Sequence, residues 1–116
     1  MEEMTIILND AGYGDERPYN ALRYARALVK KGIRVNLFLM ADSVTCGLKG
    51  QDTPKGYYNI GSMIKFLVNK EQNIRACGSC MDARGIQEEK FIEGVERGTM
   101  DQLAEWSIKS DDVIVF

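Results

Sequence analysis

Short apolar runs, separated by longer segments with helical spacing, dominate the chain. Residues 4–8 (MTIIL) form such a run, bounded by Asn9-Asp10 and Gly12, and predict a buried strand. Asp15 is a suitable N-cap, with Pro18 early in the helix it opens. Leu22, Ala25 and Leu28-Val29 recur at helical spacing, and Lys30-Lys31-Gly32 gives a cationic end followed by glycine. Residues 33–40 (IRVNLFLM) begin by alternating and become fully apolar. They predict a second strand, buried on both faces where it ends. Strand, helix and strand with tight connections make a βαβ unit, with parallel strands and a right-handed crossover.

Residues 41–57 hold several glycines and Pro54. They predict a long loop with a short helix near residues 43–48. Residues 59–69 predict a second helix, with Ile60, Met63-Ile64 and Leu67 on one face. A short third strand covers residues 74–76 and ends at Cys77. Residues 86–93 read as a short helix or turn, and Val95 as part of a minor strand. Thr99 caps the last helix, with Gln102 at the capping-box position; Leu103, Trp106 and Ile108 are its expected apolar contacts. Asp111-Asp112 closes the turn before a final buried strand, residues 113–116. This order predicts a three-layer α/β/α sandwich around a mostly parallel sheet of four to five strands. With 116 residues, the expectation is one domain spanning 1–116.

Composition narrows the function. There are 15 Lys+Arg and 17 Asp+Glu, a formal net charge of −2, which argues against direct nucleic-acid binding. The chain has no histidine, so Ser-His and Cys-His pairs and His-ligated metal sites are excluded within it. No apolar run approaches the roughly 20 residues of a membrane span. The first residues, MEEM, are acidic where a signal peptide is basic, and a cytoplasmic protein is expected. The three cysteines, Cys46, Cys77 and Cys80, are an odd number and read as free thiols.

Ligands of such sheets bind outside the carboxyl ends of the strands. Three segments meet that rule: Asn9 to Gly14 after the first strand, with Gly12 and Tyr13; Ala41 to Cys46 after the second, with Asp42 and Ser43; and Cys77 to Gly85 after the third. All three are expected to crowd one edge. The third contains Cys77, Cys80, Asp82 and Arg84. Backbone amides at a turn, with Arg84 nearby, favour thiolate over thiol. The opposing reading is that both cysteines are small residues filling a tight turn. One C-x-x-C supplies two of the four ligands of a structural zinc site, so no metal is expected, nor any cofactor. Gly12-Tyr13-Gly14 lacks the glycine fingerprints of nucleotide loops and reads as a tight turn needing positive φ. Arg17, Arg23 and Arg26 read as a solvated helix face. Tyr57 and Tyr58 fit either a pocket cap or an interface.

Taken together, the segments resemble the DsrE/DsrF-like family, and among its members the small stand-alone, YchN-like ones. The likeness runs nearly end to end: Asn9 with Gly12-Tyr13-Gly14, Leu37-Phe38-Leu39-Met40-Ala41-Asp42-Ser43-Val44, Gly47-Leu48-Lys49-Gly50-Gln51, Gly56-Tyr57 with Asn59-Ile60, Cys77-x-x-Cys80-x-Asp82-Ala83-Arg84-Gly85-Ile86, Gly94-Val95-Glu96-x-Gly98-Thr99 and Leu103-Ala104-x-Trp106. The resemblance implies a flavodoxin-like fold, homotrimers or hexamers, and sulfur relay between protein donors and acceptors. In the relay members a persulfide-bearing cysteine precedes the arginine of an Arg-Gly pair by seven residues; counting back from Arg84 reaches Cys77. The relay members lack the C-x-x-C pattern, so Cys80 is an additional thiol. The resemblance thus implies a persulfide carrier at Cys77, with Cys80 resolving or supporting it and Arg84 stabilising the thiolate. Asp82 either orients Arg84 or caps a turn. The alternatives are a Cys77/Cys80 dithiol redox protein and a non-catalytic module for a small ligand. A site shared between subunits would bring Cys46 or Tyr57 near Cys77 of another copy.

Overall fold

The computed structural model describes residues 2–116. Five parallel strands form one sheet in the order β4-β3-β2-β1-β5. They are β1 (Glu3–Leu8), β2 (Arg34–Leu39), β3 (Asn73–Cys77), β4 (Val95–Gly98) and β5 (Asp112–Val115). The helices are α1 (Arg17–Lys30), α2 (Ile60–Asn69), α3 (Gly78–Ala83) and α4 (Met100–Lys109). From β1 to β4 the chain steps across the sheet in one direction. Right-handed crossovers therefore keep α1, α2 and α3 on one face. From β4 the chain returns to the far edge, which puts α4 on the other face. Contacts agree: Thr5 Oγ1 lies 2.6 Å from Ser110 Oγ at the end of α4, and Trp106 meets Phe38 edge-on at 5.9 Å.

Ile6, Leu8, Val35, Leu37 and Leu39 are fully buried and alternate with Thr5, Asn36 and Phe38, which belong to the α4 face. Asn36 is a buried polar residue in an apolar strand. Its amide nitrogen donates to Glu3 Oε2 (2.6 Å) and its oxygen accepts from Asn73 (2.7 Å), so no polar group is stranded.

Local expectations need four adjustments. The final strand, β5, is a partly exposed edge strand with Val115 63% exposed, not a buried one. The first helix has Glu16, not Asp15, as its N-cap; Asp15 Oδ1 instead accepts from the Arg17 amide (2.8 Å). The segment after β3 is a short helix with Cys77 as N-cap residue rather than an open turn. Ile108 is 84% exposed. At 100° per residue it lies well off the face shared by Leu103 and Trp106, so it cannot join their contact.

Candidate functional site

The doubly wound topology locates the site. Loops following β1, β2 and β3 turn to one face and the loop following β4 turns to the other. The connections therefore diverge between β3 and β4, where an α/β sheet opens a crevice. Cys77 and Gly98, the last residues of those two strands, are register partners at that point. A cavity of about 220 Å³ opens there, lined by Cys77, Gly78 and Ser79 on one side and Arg97, Gly98, Thr99 and Met100 on the other. Glycines let the two sides approach closely. A Cβ on Gly98 would come 2.9 Å from Arg75 Cβ, and one on Gly78 would come 2.8 Å from Arg97 Nε.

Cys77 is 5% exposed. Burial pushes its thiol up, but the Ser79 hydroxyl, the Cys80 thiol and the backbone amides of Cys80 and Ser79 beside it outweigh that and lower it. Ser79 Oγ stands 3.5 Å from the sulfur. Cys80 shifts the other way. Burial and the neighbouring Cys77 sulfur raise it, against an opposing hydrogen bond from the Ala41 amide (3.2 Å). Cys77 is thus the partner shifted toward thiolate and Cys80 the partner shifted toward thiol. A thiolate with a protonated neighbour is the form that attacks electrophilic sulfur.

The arginines divide differently from the expectation. Arg84 reaches Asp42 Oδ1 (2.7 Å from Nη2) and the Cys80 carbonyl (3.0 Å from Nη1). It braces the Cys80 turn against the residues after β2 and does not contact the Cys77 sulfur. Its partner Asp42 is 69% exposed at the side chain, so the pair adds little stability and serves to position the turn. Asp82 does not orient Arg84. Both its oxygens accept from Arg97, at 2.9 and 2.8 Å, and Arg97 holds its carboxyl below the ordinary value. Arg97 was missed by sequence reasoning. Its signal was its place just before Gly98-Thr99, at the end of the minor strand, where the strand-end rule applies to β4 as well.

The remaining expected pocket residues do not gather at Cys77. Ser43 is fully buried, its hydroxyl 2.6 Å from both the Leu8 and Met40 carbonyls, and ties two strand ends together. Asn9 donates to the Phe116 carbonyl at 3.4 Å. Gly12 allows close packing, since a Cβ there would lie 3.2 Å from Ile60 and 3.9 Å from the Cys46 sulfur. The positive φ of that turn belongs to Tyr13 (70°), not to a glycine. Tyr13 stacks on Tyr58 and its hydroxyl accepts from the Ile60 amide at 3.0 Å. Cys46 is buried, and burial pushes its thiol up to about 11 despite a hydrogen bond from the Gly12 backbone. Tyr57 is 66% exposed and is not among the residues lining the Cys77 crevice. No cluster of His, Cys, Asp and Glu suited to a metal occurs among the described residues. No helix is long and apolar enough to cross a membrane.

The sequence profile of the DsrE/DsrF-like family matches residues 2–116. Protein YchN of Escherichia coli is 41% identical over the full length of both chains. Its crystal structure superposes with a TM-score of 0.95, covering 100% of each chain. The uncharacterized protein MK0008 of Methanopyrus kandleri is 40% identical, over 100% of this chain and 95% of its own. The protein of unknown function MTH1491 of Methanobacterium thermoautotrophicum, at 12% identity, shares the fold with a TM-score of 0.82 over both whole chains.

Proposed function

The chain belongs to the DsrE/DsrF-like family, and from that premise we propose that it is a sulfur carrier whose Cys77 holds a persulfide. One observation carries the reading. Cys77 is the only cysteine among the residues lining the strand-divergence crevice, and its sulfur accepts hydrogen bonds that favour the thiolate.

In the loading step the Cys77 thiolate attacks the outer sulfur of a donor persulfide, R–S–SH. The new S–S bond forms at Cys77 as the donor's S–S bond breaks, and the donor leaves as R–S⁻. The outer sulfur and its proton move together, so no external oxidant is consumed. Unloading reverses the roles: an acceptor thiolate takes the outer sulfur and Cys77 leaves as thiolate. Amides and the Ser79 hydroxyl that stabilise the thiolate also improve it as leaving group. No histidine is needed at either step. Donor and acceptor are protein thiols able to reach the crevice.

A second reading rests on the Cys80 thiol at Cys77. Once deprotonated, Cys80 can attack the inner sulfur of the Cys77 persulfide, forming a Cys77–Cys80 disulfide and expelling hydrosulfide. The pair would then act as a dithiol couple, returned to thiols by a cellular dithiol. Loading with a cysteine desulfurase and cysteine, read by intact mass, separates the two. A carrier gains one sulfur atom in the wild type and in Cys80→Ser, and none in Cys77→Ser. A dithiol protein loses two hydrogens, and Cys80→Ser then accumulates the sulfur that the wild type does not retain.

A further inference from the structure

The two longer helices on the three-helix face of the sheet, α1 and α2, contain no carboxylate. In α1, RPYNALRYARALVK, and α2, IGSMIKFLVN, every charged side chain is a cation, although the chain has 17 acidic residues. Between these helices lies a cavity of about 480 Å³, about twice that beside Cys77 and within the range of small-molecule sites.

Its floor is apolar, with Leu22, Met63, Phe66 and Tyr58. Its rim is Arg23, Arg26 and Lys30, at helical spacing on one face of α1. None of the three takes part in an ion pair among the described residues. Aromatic rings hold the guanidinium groups instead: Arg26 lies 4.5 Å over the Phe66 ring and Arg23 5.2 Å over Tyr19. A guanidinium stacked this way is fixed in place and keeps N–H edges for another acceptor. Tyr58 stacks with Tyr19 at 4.3 Å and with Tyr13 at 5.1 Å, which gives the groove a stiff wall. Arg23 and Arg26 are thus more than a solvated helix face.

We propose that the α1–α2 groove is a binding site for a small amphiphilic anion, with its acyl or aryl body on the apolar floor and its carboxylate or phosphate head against Arg23, Arg26 and Lys30. An inorganic anion alone leaves the floor unused, and a neutral apolar molecule leaves three cations unpaired. The site is separate from Cys77 and stands without the carrier reading.

The test titrates the full chain with octanoate, 2-naphthoate, octyl phosphate, octylammonium and inorganic phosphate, using calorimetry and amide chemical shifts. The expected result is saturable binding of at least one amphiphilic anion, with shifts confined to α1 and α2. The three amphiphilic anions separate aliphatic from aryl bodies and carboxylate from phosphate heads, and octylammonium tests the sign of the charge. The double variant Arg23→Gln/Arg26→Gln is expected to weaken binding about tenfold or more, as loss of charge-assisted hydrogen bonds implies. Ala27→Phe fills the groove from an exposed position and is expected to abolish binding with the charges intact. Both variants keep the wild-type melting temperature, because the changed side chains are exposed. Alkylating every accessible thiol leaves binding unchanged, which separates this result from the fate of the Cys77 reading. Equal binding of octylammonium, inorganic phosphate as good as octanoate, or no anion binding up to the solubility limit would overturn the proposal. A change of assembly size in Ala27→Phe would assign the groove to a second copy, and overturns it too.

Discussion

Asp82 and Arg97 form a two-pronged ion pair, Oδ1 to Nη1 at 2.9 Å and Oδ2 to Nη2 at 2.8 Å, that links α3 to the end of β4. Asp82 lies in the helix that follows β3 and Arg97 lies within β4, the two strands that flank the Cys77 crevice, so the pair fixes one side of its opening. Both groups are exposed, so geometry rather than stability is what the pair supplies. Gly78 is what lets the guanidinium lie there, because any Cβ would sit 2.8 Å from Arg97 Nε.

Gly78→Ala is therefore expected to displace Arg97, the flexible partner, and to alter the rate of Cys77 alkylation while the protein stays folded. Arg97→Gln should reproduce that change of rate. Gly98→Ala meets Arg75 Cβ at 2.9 Å and Phe38 Cε1 at 3.0 Å, packed atoms that cannot swing aside. It should cost about 1–3 kcal/mol in urea unfolding, the usual penalty for overpacking. Equal stability of Gly78→Ala and Gly98→Ala would contradict this division.

Thr99 closes a capping box at the start of α4: its hydroxyl accepts from the Gln102 amide at 3.2 Å, and Gln102 Oε1 accepts from the Thr99 amide at 2.9 Å. Thr99→Ala should lower unfolding free energy by about 1 kcal/mol. Because Thr99 also lines the crevice, its variant should be compared with Gln102→Ala, which loses the same box from outside the lining. Similar destabilisation in both checks the cap.

The thiols carry opposite pH signatures. Cys46, buried, holds its proton up to about 11 against 9.0 for an ordinary thiol. Between those values the unfolded chain releases the proton and the folded chain keeps it. Stability then falls as pH rises, by at most ~1.4 kcal/mol per pH unit. Urea midpoints of the wild type and Cys46→Ala should converge across this window. Cys77 is lowered, so its contribution is present in full above pH 9.0 and is lost as pH falls through its folded value. Its alkylation rate should reach half-maximum below pH 9.0, and Ser79→Ala should move that midpoint upward.

Much of this was legible in the chain. The apolar runs before Asn9 and Ala41 mark strand ends because a parallel strand covered on both faces has little room for polar residues. The cap at Thr99 and Gln102 is a contact of residues three apart, and so is readable by spacing. The pairing of Arg97 was not legible. Its partner Asp82 is fifteen residues away on a different element, and only the neighbouring positions of β3 and β4 bring them together. Of the loops expected to crowd one edge with the Cys77 segment, the one after β2 reaches it, through Asp42 on Arg84 and the Ala41 amide on the Cys80 sulfur, whereas the one after β1 does not line the Cys77 crevice. Strand order sets which strand ends share a crevice, and β4, not β1, stands beside β3 on its open side.

The most direct test of Cys77 as carrier is to locate the sulfur. The wild-type chain is loaded with a cysteine desulfurase and cysteine, alkylated and digested, and the peptide covering residues 76–84, which contains both Cys77 and Cys80, is fragmented. An additional sulfur on Cys77, removed by reductant, is the predicted result. Sulfur on Cys80 alone, or equal loading of Cys77→Ser, would contradict the account.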